Sequence, residues 1–162
     1  MSEREILSWE DVVTLTRRLA EGIASTPFDV VLAVSRGGLV PAAVLTSLLE
    51  RRDVVSAALA SYRDESRTDR MTVYNFPPDE ALRGRRVLIV DDIWDSGHTA
   101  MAIRDRVAAA GGIPIVAVLH YKPVRSAFRE AKPDHWVVET DRWIVYPWEA
   151  LRSGAAQSSS GP

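Results

Sequence analysis

Apolar residues change their spacing several times along the chain, and each change marks a predicted element. Trp9, Val12, Val13, Thr16, Leu19, Ala20 and Ile23 recur at helical intervals, predicting a helix over roughly 9–24 with one packed face. Ser8 and Asp11 mark its start, although Asp replaces the Glu or Gln of the usual reciprocal capping box. Pro27 ends the run. Asp29 to Val34 then reads as a buried strand, followed by Ser35-Arg36-Gly37-Gly38 and a second apolar helix to about Glu50. Pro41 is compatible with that helix only in its first turn, so the two glycines belong to the strand-to-helix turn.

Further on, Val54 to Ala60 predicts a strand. The stretch from Ser61 to Gly84 carries charge, Pro77-Pro78 and a short alternating run from Met71 to Phe76, so an excursion with one short strand or hairpin is expected. Strand Arg86 to Val90, helix Thr99 to Ala110 and strand Ile113 to Leu119 follow in quick order, the last two separated by Gly111-Gly112. His135 to Val138 predicts another strand before Trp143-Ile-Val-Tyr-Pro-Trp148. Repeated strand–helix connections place the chain in the α/β class, with an open, mostly parallel sheet flanked by helices on both faces. No internal repeat at solenoid spacing is present.

Composition narrows the picture. A chain of 162 residues fits one domain, expected over 1–152. Residues 153–162 are Ser, Gly, Ala, Gln and Pro, and read as a disordered tail. The absence of cysteine removes disulfides, thiolate metal sites and thiol nucleophiles. No apolar run is long enough to span a membrane and no signal segment precedes the first helix, so a soluble cytoplasmic protein is expected. A formal net charge of -2 offers no general attraction to nucleic acid.

The chemistry concentrates between Val87 and Ala100. Four apolar residues predict a buried strand that ends where Asp91 and Asp92 begin; Asp95 follows, then Ser96, Gly97 and Thr99 at a helix start. In an open parallel sheet the loops leaving the carboxyl ends of strands converge on the binding crevice, and the 35–38 turn is a second such loop. Backbone N–H groups of 96–99 can face a phosphate, with Gly97 easing the turn. Asp91 and Asp92 have only acceptors when ionised and suit ribose hydroxyls or Mg²⁺. Asp95 taken alone also reads as a helix cap or turn former. Neither the P-loop spacing nor the Gly-x-Gly-x-x-Gly turn is present. Together the features describe an enzyme acting on a phosphorylated sugar.

At Asp91, Asp92, Asp95, Ser96, Gly97 and Thr99 the chain resembles the type I phosphoribosyltransferases, position by position through their 5-phosphoribosyl-1-pyrophosphate (PRPP) motif. The resemblance is nearest to the bacterial xanthine-guanine phosphoribosyltransferases and spans nearly all of residues 1–150. Ser35-Arg-Gly-Gly-Leu-Val-Pro41, Ser61-Tyr62, Lys122-Pro123, Trp143-Ile144 and Pro147-Trp148 carry it in the same order. It implies a small C-terminal base-binding hood on the sheet, and transfer of the 5-phosphoribosyl group from PRPP to hypoxanthine, guanine or xanthine. Pyrophosphate would be released with Mg²⁺ present, in a homodimer or homotetramer.

The resemblance also implies roles. Arg36 and Gly37 would contact pyrophosphate and share a cis peptide. Asp91 and Asp92 would hold the metal, and Ser96, Gly97, His98 and Thr99 the phosphate. Asp95 would accept the purine N7 proton. Lys122 would donate to purine O6, Trp143 would stack on the base, and Ile144 would supply backbone contacts near the C2 edge. Glu149 stands where the bacterial pattern commonly has Asp, which puts guanine and xanthine preference in question and raises hypoxanthine as the major substrate. Ser61 and Tyr62 would belong to a lid. Several alternatives stay open. His98 also reads as an exposed side chain in the first helical turn, and Trp94 as packing beneath the loop or as a subunit contact. Arg63, Arg67 and Arg70 would neutralise pyrophosphate or pair on the surface with Asp64, Glu65 and Asp69. A phosphoribosyltransferase for another nucleobase, or a PRPP-binding regulator with little catalysis, are the competing functions.

Overall fold

In a computed structural model the described residues are 3–63 and 69–151, with backbone alone for 61–63, 69 and 70. Helix α1 (Trp9–Gly22) begins where expected. Ser8 Oγ accepts from Asp11 N–H at 3.1 Å and Asp11 Oδ2 accepts from Ser8 N–H at 2.7 Å, so the Asp version of the capping box closes. Strand β2 (Val30–Ser35) leads through the glycine turn into α2 (Leu39–Leu48), which keeps Pro41 in its first turn. Strands β3 (Val54–Arg63) and β4 (Asp69–Asn75) pair antiparallel, so of the short strand or hairpin expected within 61–84 the chain forms the hairpin. Then come β5 (Arg86–Trp94), α3 (His98–Ala109), β6 (Ile113–Tyr121) and β7 (His135–Glu139).

Six strands form one sheet in the order β4-β3-β2-β5-β6-β7, parallel except at β4. The α/β architecture, an open and mostly parallel sheet covered on both faces, is therefore as expected. Alternation within β5 divides the core. Leu88 and Val90 pack with Val12, Leu19 and Leu45 of α1 and α2, whereas Val87 and Ile89 pack with Ile103 and Val107 of α3. A separate two-stranded pair, β1 (Arg4–Ile6) with β8 (Trp143–Val145), stands beside α4 (Pro147–Ala150) as the small C-terminal hood.

One boundary differs from the sequence expectation in a way that matters. Strand β5 does not stop at Val90: Asp91, Ile93 and Trp94 remain laddered to Val118, His120 and Tyr121 of β6. What stops is the alternation. Ile93 joins the core on the α1 side and Trp94 the core on the α3 side, opposite to the parity of Leu88 and Val90. Asp91 and Asp92 occupy that switch. Among the described residues no helix is long and apolar enough to cross a membrane.

Candidate active site

The 35–38 turn and the 91–99 segment leave adjacent strands, β2 and β5, at the same end of the sheet. A cis peptide bond lies between Ser35 and Arg36. This corrects the expectation of a cis bond between Arg36 and Gly37 by one residue: the conformational change precedes the arginine, not the glycine. Gly38 N–H donates to Val34 O at 2.8 Å and closes the turn. Gly37 is required by proximity, because a Cβ there would collide with the Asp92 carboxylate. Arg36 is exposed, and with Gly37, Leu39, Val40, Asp92, Trp148 and Glu149 it lines a cavity of about 390 Å³.

Asp91 is buried, and its Oδ1 accepts from the Asp92 N–H at 2.9 Å. Burial pushes the Asp91 carboxyl well above its ordinary range, with the Asp92 charge adding to the effect. Burial likewise raises Asp92 to about 6, and the Glu149 charge reinforces the rise. Two neighbouring carboxylates that resist ionisation in isolation form an oxygen-only donor set suited to a hard divalent cation such as Mg²⁺. Among the described residues no group of three or more His, Cys, Asp or Glu completes a protein cage. Mg²⁺ commonly completes its shell with water and phosphate oxygens.

Past the strand, the chain turns through Asp95, Ser96 and Gly97 into α3. Gly97 has φ +87°, and a Cβ there would strike the indole of Trp94. Trp94 is 1% exposed, touches Tyr121 and Phe128 edge-on, and donates Nε1–H to Ser126 Oγ at 3.1 Å. It packs beneath the loop, the first of its two expected placements. No side chain caps α3, which leaves first-turn N–H groups for a ligand. Asp91, Asp92, Asp95, Ser96, Gly97 and Thr99 line a second cavity, of about 230 Å³. His98 is exposed, with Nδ1 at 3.0 Å from Ser96 Oγ and its ring edge-on to Phe128.

The residues expected to face the base meet at Asp95. Lys122, only 2% exposed, sets Nζ 3.5 Å from Asp95 Oδ2 and 5.6 Å from the centre of the Trp143 ring. Half of Trp143 stays exposed, so an aromatic face is free beside this cation and carboxylate. The Ile144 side chain is buried in the core, leaving its backbone for any ligand contact. Glu149 accepts from Tyr146 N–H at 3.1 Å and so caps α4 while facing the Arg36 cavity. The backbones of Ser61 and Tyr62 run in β3 opposite Met71 and Arg70, whereas their side chains lie outside the described residues, as do the side chains of Arg63 and Arg70. Arg67, with 64–68, and the tail from 152 onward also lie outside them.

Sequence reasoning missed three residues here. Arg125 donates Nε–H to Asp95 Oδ1 at 2.6 Å. Tyr146 donates its hydroxyl to the Asp92 carbonyl at 2.9 Å, and buried His120 places Nδ1 2.7 Å from that same hydroxyl. The phenol proton is committed to Asp92, so the His120 Nδ1–H must be the donor to Tyr146. Only Arg125 left a signal, as a cation three residues past Lys122 in a proline-containing turn.

Comparison with known proteins adds an independent line. The model of the phosphoribosyl transferase domain matches residues 2–150. A xanthine-guanine phosphoribosyltransferase of Vibrio parahaemolyticus is 36% identical over 151 residues, covering 92% of this chain and 91% of that protein. One from Gluconobacter oxydans is 35% identical over 149 residues, covering 88% and 83%. The crystal structure of a purine phosphoribosyltransferase from Pyrococcus horikoshii superposes with a TM-score of 0.79 at 30% identity, covering 91% of this chain and 94% of that one.

Proposed function

Because this chain belongs to the phosphoribosyl transferase family, we propose that it transfers the 5-phosphoribosyl group of PRPP to a 6-oxopurine. The products are the nucleoside 5′-monophosphate and pyrophosphate, a purine-salvage reaction. The relatives named as xanthine-guanine enzymes support the substrate class. The observation that carries the reading is the placement of Lys122 Nζ and Asp95 Oδ2, 3.5 Å apart beside the half-exposed Trp143 ring. A buried donor next to an acceptor matches the O6 and N7–H edge of a 6-oxopurine. A 6-amino group would instead set a donor against the lysine.

The reaction makes a charged leaving group and a cationic sugar carbon together, and its barrier falls when both are stabilised. Asp91 and Asp92 would hold Mg²⁺, directly or through water, and when bound that ion supplies neutralisation of the departing pyrophosphate. Arg36 and the Gly37 backbone contact pyrophosphate. The free N–H groups at Ser96, Gly97, His98 and Thr99 cradle the 5-phosphate. As N9 bonds to the sugar carbon and the bond to pyrophosphate breaks, the N7 proton passes to Asp95. Lys122 holds O6, Trp143 stacks on the ring, and the Ile144 backbone meets the C2 edge. Glu149 is engaged in capping α4, which fits a weak grip on a 2-amino group and favours hypoxanthine. Ser61 and Tyr62 fit a lid over the reacting centre.

A cytoplasmic enzyme of two or four copies fits the family and would cover exposed apolar residues such as Ile6 and Trp9. The test is a base-by-base assay with PRPP and Mg²⁺. Hypoxanthine, guanine or xanthine should turn over while adenine and orotate react poorly. Robust adenine turnover without any 6-oxopurine turnover overturns the specificity.

A further inference from the structure

Asp95 has two carboxylate oxygens, and they are held by different cations. Oδ2 lies 3.5 Å from buried Lys122 Nζ, and Oδ1 takes a short 2.6 Å hydrogen bond from Arg125 Nε. The two cations differ in setting, since the Lys122 side chain is 3% exposed and that of Arg125 is 52% exposed. An ion pair this open adds about 0–1 kcal/mol to folding, so stability does not account for it. The segment carrying Arg125 is nonetheless built to face Asp95. Lys122 N–H donates to Trp94 O at 3.0 Å, Ala127 N–H to Ser96 O at 2.9 Å, and Trp94 Nε1–H to Ser126 Oγ at 3.1 Å. The 122–127 turn and the 94–97 segment are thereby one unit, with Arg125 and Asp95 on facing sides of it.

A carboxylate turns readily about its last side-chain bond, since that torsion is broad. One partner cannot set its plane. Purine entry draws Lys122 toward O6, and without Arg125 the carboxylate would then keep neither of its two contacts among the described residues. The geometry points to Arg125 as the positioning residue of the reaction. It clamps Oδ1 so that Oδ2 alone is left to exchange Lys122 for the purine N7–H. This rests on the transfer reaction proposed above and adds a residue to it.

The experiment is single-turnover transfer from PRPP to hypoxanthine by Arg125→Met, Arg125→Lys, D95N and the D95N/R125M pair, with dissociation constants for both substrates. Misplacing a reacting group by about 1 Å costs on the order of 100-fold, so R125M should slow transfer about 10–100-fold. Both dissociation constants should stay within about threefold. R125K, keeping a cation, should recover part of the rate, and R125M should add nothing once Asp95 is Asn. A purely structural role would make the two losses additive. An unchanged R125M rate, a loss confined to PRPP affinity, or additive losses would each overturn the assignment. Absence of transfer by the parent chain would instead overturn the reaction and the assignment together.

Discussion

The two turns that face the crevice both depend on a glycine without a Cβ, yet the space is given to opposite kinds of neighbour. At Gly37 the missing atom makes room for the Asp92 carboxylate, a charged group at the end of a rotatable side chain. At Gly97 it makes room for the Trp94 indole, a ring buried against Tyr121 and Phe128. A crowded carboxylate can swing away at little cost to folding but then leaves the position its chemistry needs. A crowded core ring has nowhere to go. Gly37 therefore serves function and Gly97 stability, while Gly38, beside Gly37, is held by the backbone carbonyls of Val90 and Val34.

The sharpest test of the chemistry lies between them. D95N should keep PRPP binding and lose about 10²–10⁴-fold in the chemical step, the usual contribution of a positioned acid–base group. Loss of PRPP affinity with an unchanged single-turnover rate would remove Asp95 from that role. On the stability side, Trp94→Ala should cost about 3–5 kcal/mol by denaturant melts, as large-to-small changes at buried aromatic sites do. The glycines then separate the turns directly. G97A forces a side chain into left-handed backbone at about 1–2 kcal/mol before any clash with the ring, and should lower Tm. G37A should leave Tm nearly unchanged while weakening Mg²⁺-dependent PRPP binding about 10–100-fold, the range for disturbing a metal carboxylate. If both variants lost stability alike, the distinction between Gly37 and Gly97 would fail.

The sequence was informative wherever the causes are local. The Ser8–Asp11 cap, the Pro41 first turn and the strand-to-helix order all follow from neighbours within a few residues, and each is present. Asp91, Asp92, Asp95, Ser96, Gly97 and Thr99 were legible as a group because one strand–turn–helix step lines them on one cavity. Contacts made at a distance were not legible. Strand β1 is three residues whose partner, β8, lies near the other end of the chain. The end of β5 is hidden from the sequence because periodicity reports which face a side chain takes, whereas strand pairing is a property of the backbone. At Asp91 and Asp92 the first changes while the second continues. Arg125 and the His120–Tyr146 pair carry no periodic signal, and their roles exist only once β5, β6 and the hood meet.

That buried pair gives the smallest expected effect and ties the first turn to the hood. Burial, reinforced by the Lys122 charge, holds the His120 imidazole down to about 4 from an ordinary value of 6.5. A histidine depressed in the fold contributes stability fully above its unfolded pKa, and loses it as pH falls from there toward the folded value. Between pH 7 and 5.5 this amounts to about 1 kcal/mol. The adjacent acids run the other way, because Asp92, raised to about 6, binds protons in the fold that the unfolded chain would not hold. Acidification without metal should thus move the parent's stability less than His120 alone dictates. Tyr146, raised well above its usual range by burial, stays neutral throughout. The diagnostic quantity is the difference between the parent and His120→Asn, whose amide can still donate to the Tyr146 hydroxyl but does not titrate. The parent should lose about 1 kcal/mol relative to H120N across that interval; parallel pH curves would mean that burial and the Lys122 charge do not hold the His120 imidazole down.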